Sequence, residues 1–250
     1  MQLINIHQLT ATLELKSGLR IGASEGEIRI GGVDNQVIRH AHTGQPYIPG
    51  SSLKGKVRSL LEWRSGAVQS NPLGLQDLQR ARNDAIAVQV RMILTLFGVS
   101  GGDRPDHADE ELIGKIGPTR LAFWDAALQP DWVGRIQGED KLLTEVKTEN
   151  RIDRIKGVAE HPRQTERVPS GARFDFRLSV KQLDIDGDGA ELRRTLLAGL
   201  RLLELDSLGG SGSRGYGKVK FTGMRWGDAD IQAEFDRIDP FADVAAARRA

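Results

Sequence analysis

A glycine-rich run at residues 209–220 constrains the fold of this 250-residue chain more than any other feature. The run contains five glycines, two serines, three cations and no acid. Such a loop can turn several N–H groups toward one anion, and its cations favour a phosphate. A helical pattern over residues 191–205 precedes the run, and an alternating strand begins at Val219. We therefore expect a phosphate-facing loop between a helix and a strand, the alternative being a flexible turn.

The run also matches two nucleotide-binding patterns, but its context argues against both. Gly210, Gly212 and Gly215 satisfy GxGxxG, and the segment from Gly212 to Lys218 satisfies GxxxxGK. Both motifs require a strand before the loop and a helix after it, and here that order is reversed. A nucleotide-hydrolysing enzyme is therefore disfavoured, and tight ATP or GTP binding would be its test.

Composition restricts the class of protein further. The formal net charge is only +1, but residues 37–64 carry five cations against one acid, and residues 141–177 carry nine against six. This uneven distribution of charge indicates a local anion-binding region rather than a whole surface that binds anions nonspecifically. The chain has no cysteine, which excludes disulfides and thiolate metal sites, and it has no apolar run of membrane length. We expect a cytoplasmic protein without a membrane partner.

The order of the predicted elements gives the fold class. Six elements are expected: strands over 3–16, 120–128 and 173–183 and from 219 onward, and helices from about 51 and over 191–205. This β–α–β–β–α–β order, with insertions, is the ferredoxin-like plan of an α+β fold. We expect one domain over residues 1–250, with a helical and loop insertion at 65–117 and a cation-rich insertion at 141–173.

Three positions outside the glycine run are candidate sites. Ser51 and Ser52 are expected to cap a helix whose free amides, together with Lys54, would hold an anion, although capping alone is the alternative. Asp34 lies in a glycine-supported tip and could hold a hydrated divalent cation against a phosphate, although an ordinary turn aspartate fits as well. The five histidines are candidate general bases or plain surface residues.

Four blocks of sequence carry a family resemblance. They are Gly31 to Arg39, Tyr47 to Glu62, Lys147 to Phe174 and Gly209 to Lys218. Together they span most of the chain, and the chain resembles the backbone RAMP subunit of type III-A (Csm) CRISPR effector complexes. The resemblance implies a modified RNA-recognition fold with a thumb insertion at 141–173 and lid-like insertions.

The resemblance also implies an activity and partners. Copies would stack with other subunits into a helical filament along a CRISPR RNA, and each thumb would interrupt the guide–target duplex. Asp34 stands where the family's aspartate is required for cutting target RNA, with Mg²⁺ or another divalent cation as cofactor; no zinc is expected without cysteine. The expected RNA-binding residues are Arg20, Ser51, Ser52, Lys54, Lys56, Arg58, Arg151, Arg154, Gly210, Gly212, Ser213, Arg214, Gly215 and Lys218.

Two other functions stay open at this point. A non-catalytic CRISPR RNA-binding scaffold of the same superfamily would leave Asp34 as a plain turn residue. A guide-processing endonuclease would use His7 or His40 as its base, and we rank it lower because the chain shows no internal duplication.

Overall fold

The structure is a computed structural model that describes residues 1–22, 35–99 and 107–242. Within these ranges, no helix is both long and apolar enough to span a membrane. The elements are, in chain order, β1 Leu3–Leu15, β2 Tyr47–Ile48, α1 Gly50–Ser65, α2 Leu75–Gln79, α3 Asp84–Phe97, α4 His107–Ile116, β3 Leu121–Phe123, β4 Ala126–Ala127, α5 Pro130–Gly138, β5 Glu145–Ile152, β6 Ala159–Arg167, β7 Arg173–Leu183, α6 Ala190–Leu205, β8 Val219–Trp226, β9 Ala229–Asp230 and α7 Gln232–Asp236.

A five-stranded antiparallel sheet in the order β3-β7-β1-β8-β9 forms the centre of the fold. β1 lies between β7 and β8, so that Leu13 stands opposite Phe174 on one side and Phe221 on the other. The path β1-α1-β3-β7-α6-β8 therefore places the first and third principal strands side by side, with the second and fourth outside them. This is the ferredoxin-like arrangement, and the predicted α+β class is confirmed.

Alternation along the strands gives the sheet one apolar face, which we call the inner face. Leu9 and Leu13 of β1 and Phe174, Phe176 and Leu178 of β7 are buried there. The residues between them point to the other side of the sheet because successive side chains of a strand alternate. We call that side the outer face, and it carries Gln8, Thr10 and Thr12 of β1, Arg173, Asp175, Arg177 and Ser179 of β7, and Thr222 and Arg225 of β8.

Helices α1 and α6 pack against each other as well as against the core. A Cβ atom added at Gly199 of α6 would lie 2.8 Å from Val57 Cγ1, and Leu61 of α1 is nearly as close. Glycine therefore sets the short distance between the two helices. Leu53, Val57 and Leu61 of α1 are fully buried.

The start of α1 differs from the prediction. The N-cap is Pro49, no side chain caps the helix, and Ser51 and Ser52 lie inside its first turn. Asp125 stabilises the helix start instead, because its Oδ1 accepts a hydrogen bond from the Gly50 amide at 2.7 Å. The prediction that the two serines act as caps was wrong, since a more distant carboxylate satisfies that end of the helix.

Two insertions extend from the core of the fold. Between α1 and β3 the chain forms α2, α3 and α4, and α3 packs on α1 and α6. Between α5 and β7 it forms the antiparallel pair β5–β6, in which Glu145 stands opposite Arg167 and Ile152 opposite Ala159. We call residues 145–167 the thumb hairpin.

Candidate nucleic-acid interface

The thumb hairpin has a well-built turn and an apolar tip. Asp153 Oδ1 accepts hydrogen bonds from the amides of Lys156 at 2.7 Å and Ile155 at 2.8 Å. These bonds stabilise the carboxylate and hold the pKa of Asp153 below its ordinary value. Ile155 is 97% exposed, and Ile152 and Val158 beside it are also exposed. An ordered turn therefore presents apolar side chains to the surroundings of the hairpin.

A groove of about 550 Å³ lies between the thumb hairpin and the glycine loop, and we call it the thumb–loop groove. In the part of the chain that the structure describes, Arg151, Arg154 and Arg163 make no ion pair or hydrogen bond through their side chains. These cations are available to an anionic ligand. The lining residues are Lys147, Glu149, Asn150, Arg151, Ile152, Arg154, His161, Arg163 and Arg214.

A bulge in the hairpin shapes this groove. The pairing of β5 with β6 shifts register between Glu149 and Arg151, and His161 adopts a left-handed backbone with φ of 51°. Few residues other than glycine adopt this conformation, and bulges of this kind redirect side chains. The bulge explains why His161 lines the groove together with the arginines.

Glu149 is the single acid among the described residues that line the groove, and it joins the hairpin to the glycine loop. Its carboxylate lies 3.1 Å from Lys147 Nζ and 3.2 Å from Arg214 Nη1. Burial opposes the charge, but these cations and the nearby Tyr216 outweigh it and lower the pKa of Glu149. The acid is therefore ionised at neutral pH and holds Arg214 toward the thumb.

Tyr216 is the buried anchor of the same junction. Its ring is fully buried between two cations of the hairpin, with Lys147 Nζ at 4.5 Å and the Arg167 guanidinium at 5.1 Å from the centroid. Burial and the neighbouring Glu149 carboxylate raise the pKa of the Tyr216 phenol. Cations over an aromatic ring attach the thumb to the loop. Sequence reasoning missed Tyr216, although an aromatic residue inside a glycine run was a usable signal.

The glycines of the loop mainly accommodate the protein's own chain. A Cβ atom at Gly209 would overlap the Arg20 carbonyl, one at Gly212 would overlap the Ser207 hydroxyl, and one at Gly217 would overlap the Leu208 carbonyl. The Gly210 amide donates to the Arg20 carbonyl at 2.9 Å. These glycines are thus explained by internal packing.

The exposed part of the loop is its tip. Gly212–Arg214 forms a single 3-10 turn, after which Gly215 has a φ of 83° with open space around it. Among the described residues, the amides of Gly212 and Ser213 meet no acceptor. Phosphate binding by this loop stays a prediction, and these two amides are donors available for it.

Arg20 connects the loop to the segment that follows Asp34 in the sequence. Arg20 Nη2 donates to Asn35 Oδ1 at 2.9 Å, and the Asn35 carbonyl accepts from the Glu166 amide at 3.0 Å. Asn35 is therefore fixed between the glycine loop and the base of the thumb. Asp34, predicted as the catalytic and metal-binding residue, lies outside the described residues. Within them, no group of three or more His, Asp or Glu side chains could hold a metal ion.

The base of the thumb is held by Glu166. Its carboxylate accepts from the Val37 amide at 2.9 Å and from the Thr144 hydroxyl at 2.8 Å, and it pairs with Arg39 Nη2 at 2.5 Å. Burial disfavours the charged form, but the three partners outweigh it and lower the pKa of Glu166. This cluster fixes the angle at which the thumb hairpin leaves the core.

Two predicted RNA-binding lysines converge on the end of α6 beside the glycine loop. Lys56 Nζ forms an ion pair with Asp206 Oδ2 at 2.6 Å, and Lys218 Nζ donates to the Asp206 carbonyl at 2.6 Å and the Leu205 carbonyl at 3.2 Å. Both lysines already have partners within the protein. Lys54 on the same helix has none among the described residues and is half-buried, and Ser51 is exposed.

Arg58 is committed to the interior. Only 13% of its side chain is exposed, and its Nε lies 2.8 Å from Glu62 Oε1. Its other two nitrogen atoms donate to the carbonyls of Leu73 at 2.7 Å and Gly98 at 3.3 Å. The structure thus gives Arg58 a structural role, tying α1 to the insertion at 65–117, and leaves it no free donor nitrogen for RNA.

His7 and His40, the candidate bases of a guide-processing endonuclease, lie apart from the thumb–loop groove. His7 contacts Gln182 Oε1 at 2.9 Å, and its ring packs 5.3 Å from that of Trp226, at the far end of the sheet. His40 packs against His42 and Tyr47. Neither histidine joins the cations of the groove.

Comparison with known proteins supplies independent evidence. A profile of the RAMP superfamily matches residues 12–220. The "CRISPR system Cms endoribonuclease Csm3" of Methanothermobacter thermautotrophicus is 38% identical over 231 residues, which cover 87% of this chain and 84% of the relative. The protein of the same name from Streptococcus thermophilus is 37% identical, covering 90% of this chain and 93% of its own length.

A solved structure shares the fold. The crystal structure of a Csm3–Csm4 subcomplex from a type III-A CRISPR-Cas interference complex contains a chain with a TM-score of 0.52 and 26% identity. The match covers 96% of this chain and 99% of that chain.

Proposed function

The chain belongs to the RAMP superfamily and, within it, to the Csm3 family, and we propose that it is the CRISPR RNA-binding backbone subunit of a type III effector complex that cuts guide-paired target RNA. The thumb–loop groove carries this proposal, because Arg151, Arg154 and Arg163 line it beside an ordered hairpin and have no partner among the residues that the structure describes. The names of the relatives, which are CRISPR endoribonucleases, support the nuclease activity.

Guide binding follows from the charge and shape of the groove. Unpaired guanidinium groups contact phosphates without reading bases, so that sequence specificity comes from pairing between the guide and its target. The exposed apolar tip of the thumb hairpin is suited to separate stacked bases, as apolar wedges do in other nucleic-acid-binding proteins. Repetition of the thumb along a filament of copies, bound to other subunits, would then place cuts at regular intervals.

Cleavage requires little covalent chemistry from the protein. The 2′-hydroxyl oxygen of a splayed nucleotide attacks the adjacent phosphorus, the bond from phosphorus to the 5′ oxygen breaks, and the hydroxyl proton is lost while the leaving oxygen gains one. The products carry a 2′,3′-cyclic phosphate and a 5′-hydroxyl. The protein holds the nucleotide in line and stabilises charge at the phosphate.

We assign Asp34 the role of orienting the reacting groups, directly or by holding Mg²⁺. A carboxylate and phosphate oxygens are ligands that Mg²⁺ prefers, and the ion would neutralise charge at the reacting phosphate. Asn35, held by Arg20 and the Glu166 amide, supports this assignment because it fixes the chain directly after Asp34 beside the thumb base.

The test is Asp34→Ala in the assembled, guide-loaded complex. We expect the rate of target cutting to fall on the order of 100-fold or more, the size typical for a positioned acid–base group, while guide and target binding are unchanged. Asp228→Ala, which removes an exposed aspartate at the far end of the sheet, is the control. Chelation of divalent cations should also stop cutting without releasing RNA. Undiminished cutting by Asp34→Ala would instead identify a non-catalytic scaffold.

A further inference from the structure

The outer face of the sheet carries a second set of cations that the thumb–loop groove does not use. On this face Thr10 of β1 stands opposite Arg177 of β7 on one side and Arg225 of β8 on the other. Neighbouring strands are about 4.8 Å apart, so the two arginine backbones are separated by about 10 Å across the sheet. Both side chains are exposed, as is that of Arg173 farther along β7.

These arginines have few partners within the protein. Arg173 and Arg177 make no ion pair or hydrogen bond through their side chains in the described part of the chain, and Arg225 donates only to the Asp228 carbonyl. The acids of the face have other partners, including Asp230, which stands opposite Arg225 and accepts from the Gln232 amide at 2.9 Å. Glu14 pairs with Lys16 at 2.8 Å, and Asp175 accepts from Gln129 Nε2 at 3.0 Å. The outer face therefore offers cations to a ligand from outside.

An exposed tryptophan lies on the same face. The Trp124 amide donates to the Arg177 carbonyl at 3.2 Å, and its indole Nε1 donates to Ser179 Oγ, also at 3.2 Å. These two bonds hold the ring by its edge, and 50% of the residue stays exposed. A half-exposed aromatic ring tethered by its polar edge can receive a flat ligand on its face.

We propose that the outer face binds single-stranded RNA, with one base stacked on Trp124 and phosphates on Arg173 and Arg177. Sheets that bind RNA combine an aromatic platform with cations in this way. Arg173 begins β7, six residues after the thumb hairpin ends at Arg167. The proposal does not depend on Asp34.

The experiment uses the full chain with Arg151, Arg154 and Arg163 all changed to Gln, which weakens the thumb–loop groove. In this background, the affinity for a short fluorescent oligouridine is measured by anisotropy at low salt. Trp124→Ala should weaken the remaining binding by about tenfold, within the range for loss of one stacked base. Trp124→Phe, which keeps an aromatic ring, should retain most of it. Trp63→Ala is the matched control, because Trp63 is 68% exposed on α1.

Two further measurements keep the proposal open to refutation. Photocrosslinking of the unaltered protein to a bromouridine-substituted strand should label the peptide that contains Trp124, whatever the fate of the variants. Replacing Arg173 and Arg177 with Gln should lower the slope of log affinity against log salt by about 1.4, or 0.7 for each lost contact. Equal affinities of the Trp124→Ala and Trp63→Ala proteins would overturn the proposal. So would an effect of Trp124→Ala on self-association alone, which would mark the face as a protein interface.

Discussion

The thumb hairpin and helix α1 are both rich in cations in the sequence, but the structure uses those cations differently. On the hairpin, Arg151, Arg154 and Arg163 line a groove and have no partner among the described residues. On α1, Lys56 pairs with Asp206, and Arg58 is bonded on all three nitrogen atoms. Cations of the same types are thus available to a ligand on the thumb hairpin and are bonded within the fold on α1.

The difference follows from what lies beneath each element. The hairpin is a two-stranded arm with little core of its own, and among the described residues no carboxylate or carbonyl bonds the side chains of Arg151, Arg154 and Arg163. Helix α1 lies against the insertion at 65–117, and the carbonyls of Leu73 and Gly98 would lack partners without Arg58. A buried cation is retained because losing it leaves polar groups unpaired, whereas an exposed unpaired cation has no such role in the fold.

The largest expected effect is therefore the loss of stability from Arg58→Ala. Removing the guanidinium leaves the Glu62 carboxylate buried without its cation, and breaking such a pair from one side costs about 3 kcal/mol. Chemical denaturation followed by circular dichroism measures this change in the free energy of unfolding. Lys54→Ala, four residues earlier on the same helix, is the control and should alter it by less than about 0.5 kcal/mol. A small change for Arg58→Ala would show that its bonds contribute little to the fold.

The opposite result is expected when the three unpaired arginines of the thumb hairpin are changed to Gln. Stability should stay within about 0.5 kcal/mol of the original protein, because the side chains are exposed and make no hydrogen bond or ion pair with the described residues. Guide RNA affinity should fall on the order of 100-fold at physiological salt, and the salt slope should fall by about 2, since each contact with a single strand contributes about 0.7. Filter binding over a salt series tests this. An unchanged slope would remove these arginines from the RNA interface.

A smaller effect is expected at the base of the thumb, where Glu166 has a lowered pKa. A carboxyl group whose pKa is lower in the folded state stabilises the fold above its unfolded pKa, near 4.5, and loses that contribution as pH falls through the folded pKa. At neutral pH, Glu166→Gln should therefore be less stable by about 1.5 kcal/mol, the value of hydrogen bonds to a charged group. Denaturation curves at a series of pH values should show this gap closing below pH 4.5. A gap that stays constant through the acid range would mean that the charge on Glu166 is not its cause.

Most of the fold could be predicted from the sequence, because its signals are local and repeated. Alternation predicted β7 over residues 173–183, and the leucine spacing predicted α6 within a residue of its start. The order of these elements was enough for the ferredoxin-like arrangement. The cap of α1 could not be predicted in the same way, because Asp125 is 75 positions away in the chain.

The types of residue at the site could be predicted from the sequence. Which of them face a ligand and which stabilise the fold could not. Clustered cations indicated an anion-binding protein, and the family resemblance indicated RNA. Sequence spacing could not show that Gly209, Gly212 and Gly217 make room for the protein's own atoms, since their contacts depend on how the loop folds back. For the same reason Arg58 and Arg154 are equivalent in the sequence and differ only once burial is known.

The smallest expected effect tests whether Ser51 stabilises the start of α1. Ser51 does not cap α1, so Ser51→Ala should change the free energy of unfolding by less than about 0.5 kcal/mol. Asn83 is a true cap, because its Oδ1 accepts from the Ile86 amide at 2.9 Å at the start of α3, and Asn83→Ala should cost about 1 kcal/mol. Denaturation of both variants gives the two values side by side. If Ser51→Ala retains stability but weakens RNA binding, its hydroxyl contacts the ligand; if it costs as much as Asn83→Ala, Asp125 is not sufficient to stabilise the start of α1.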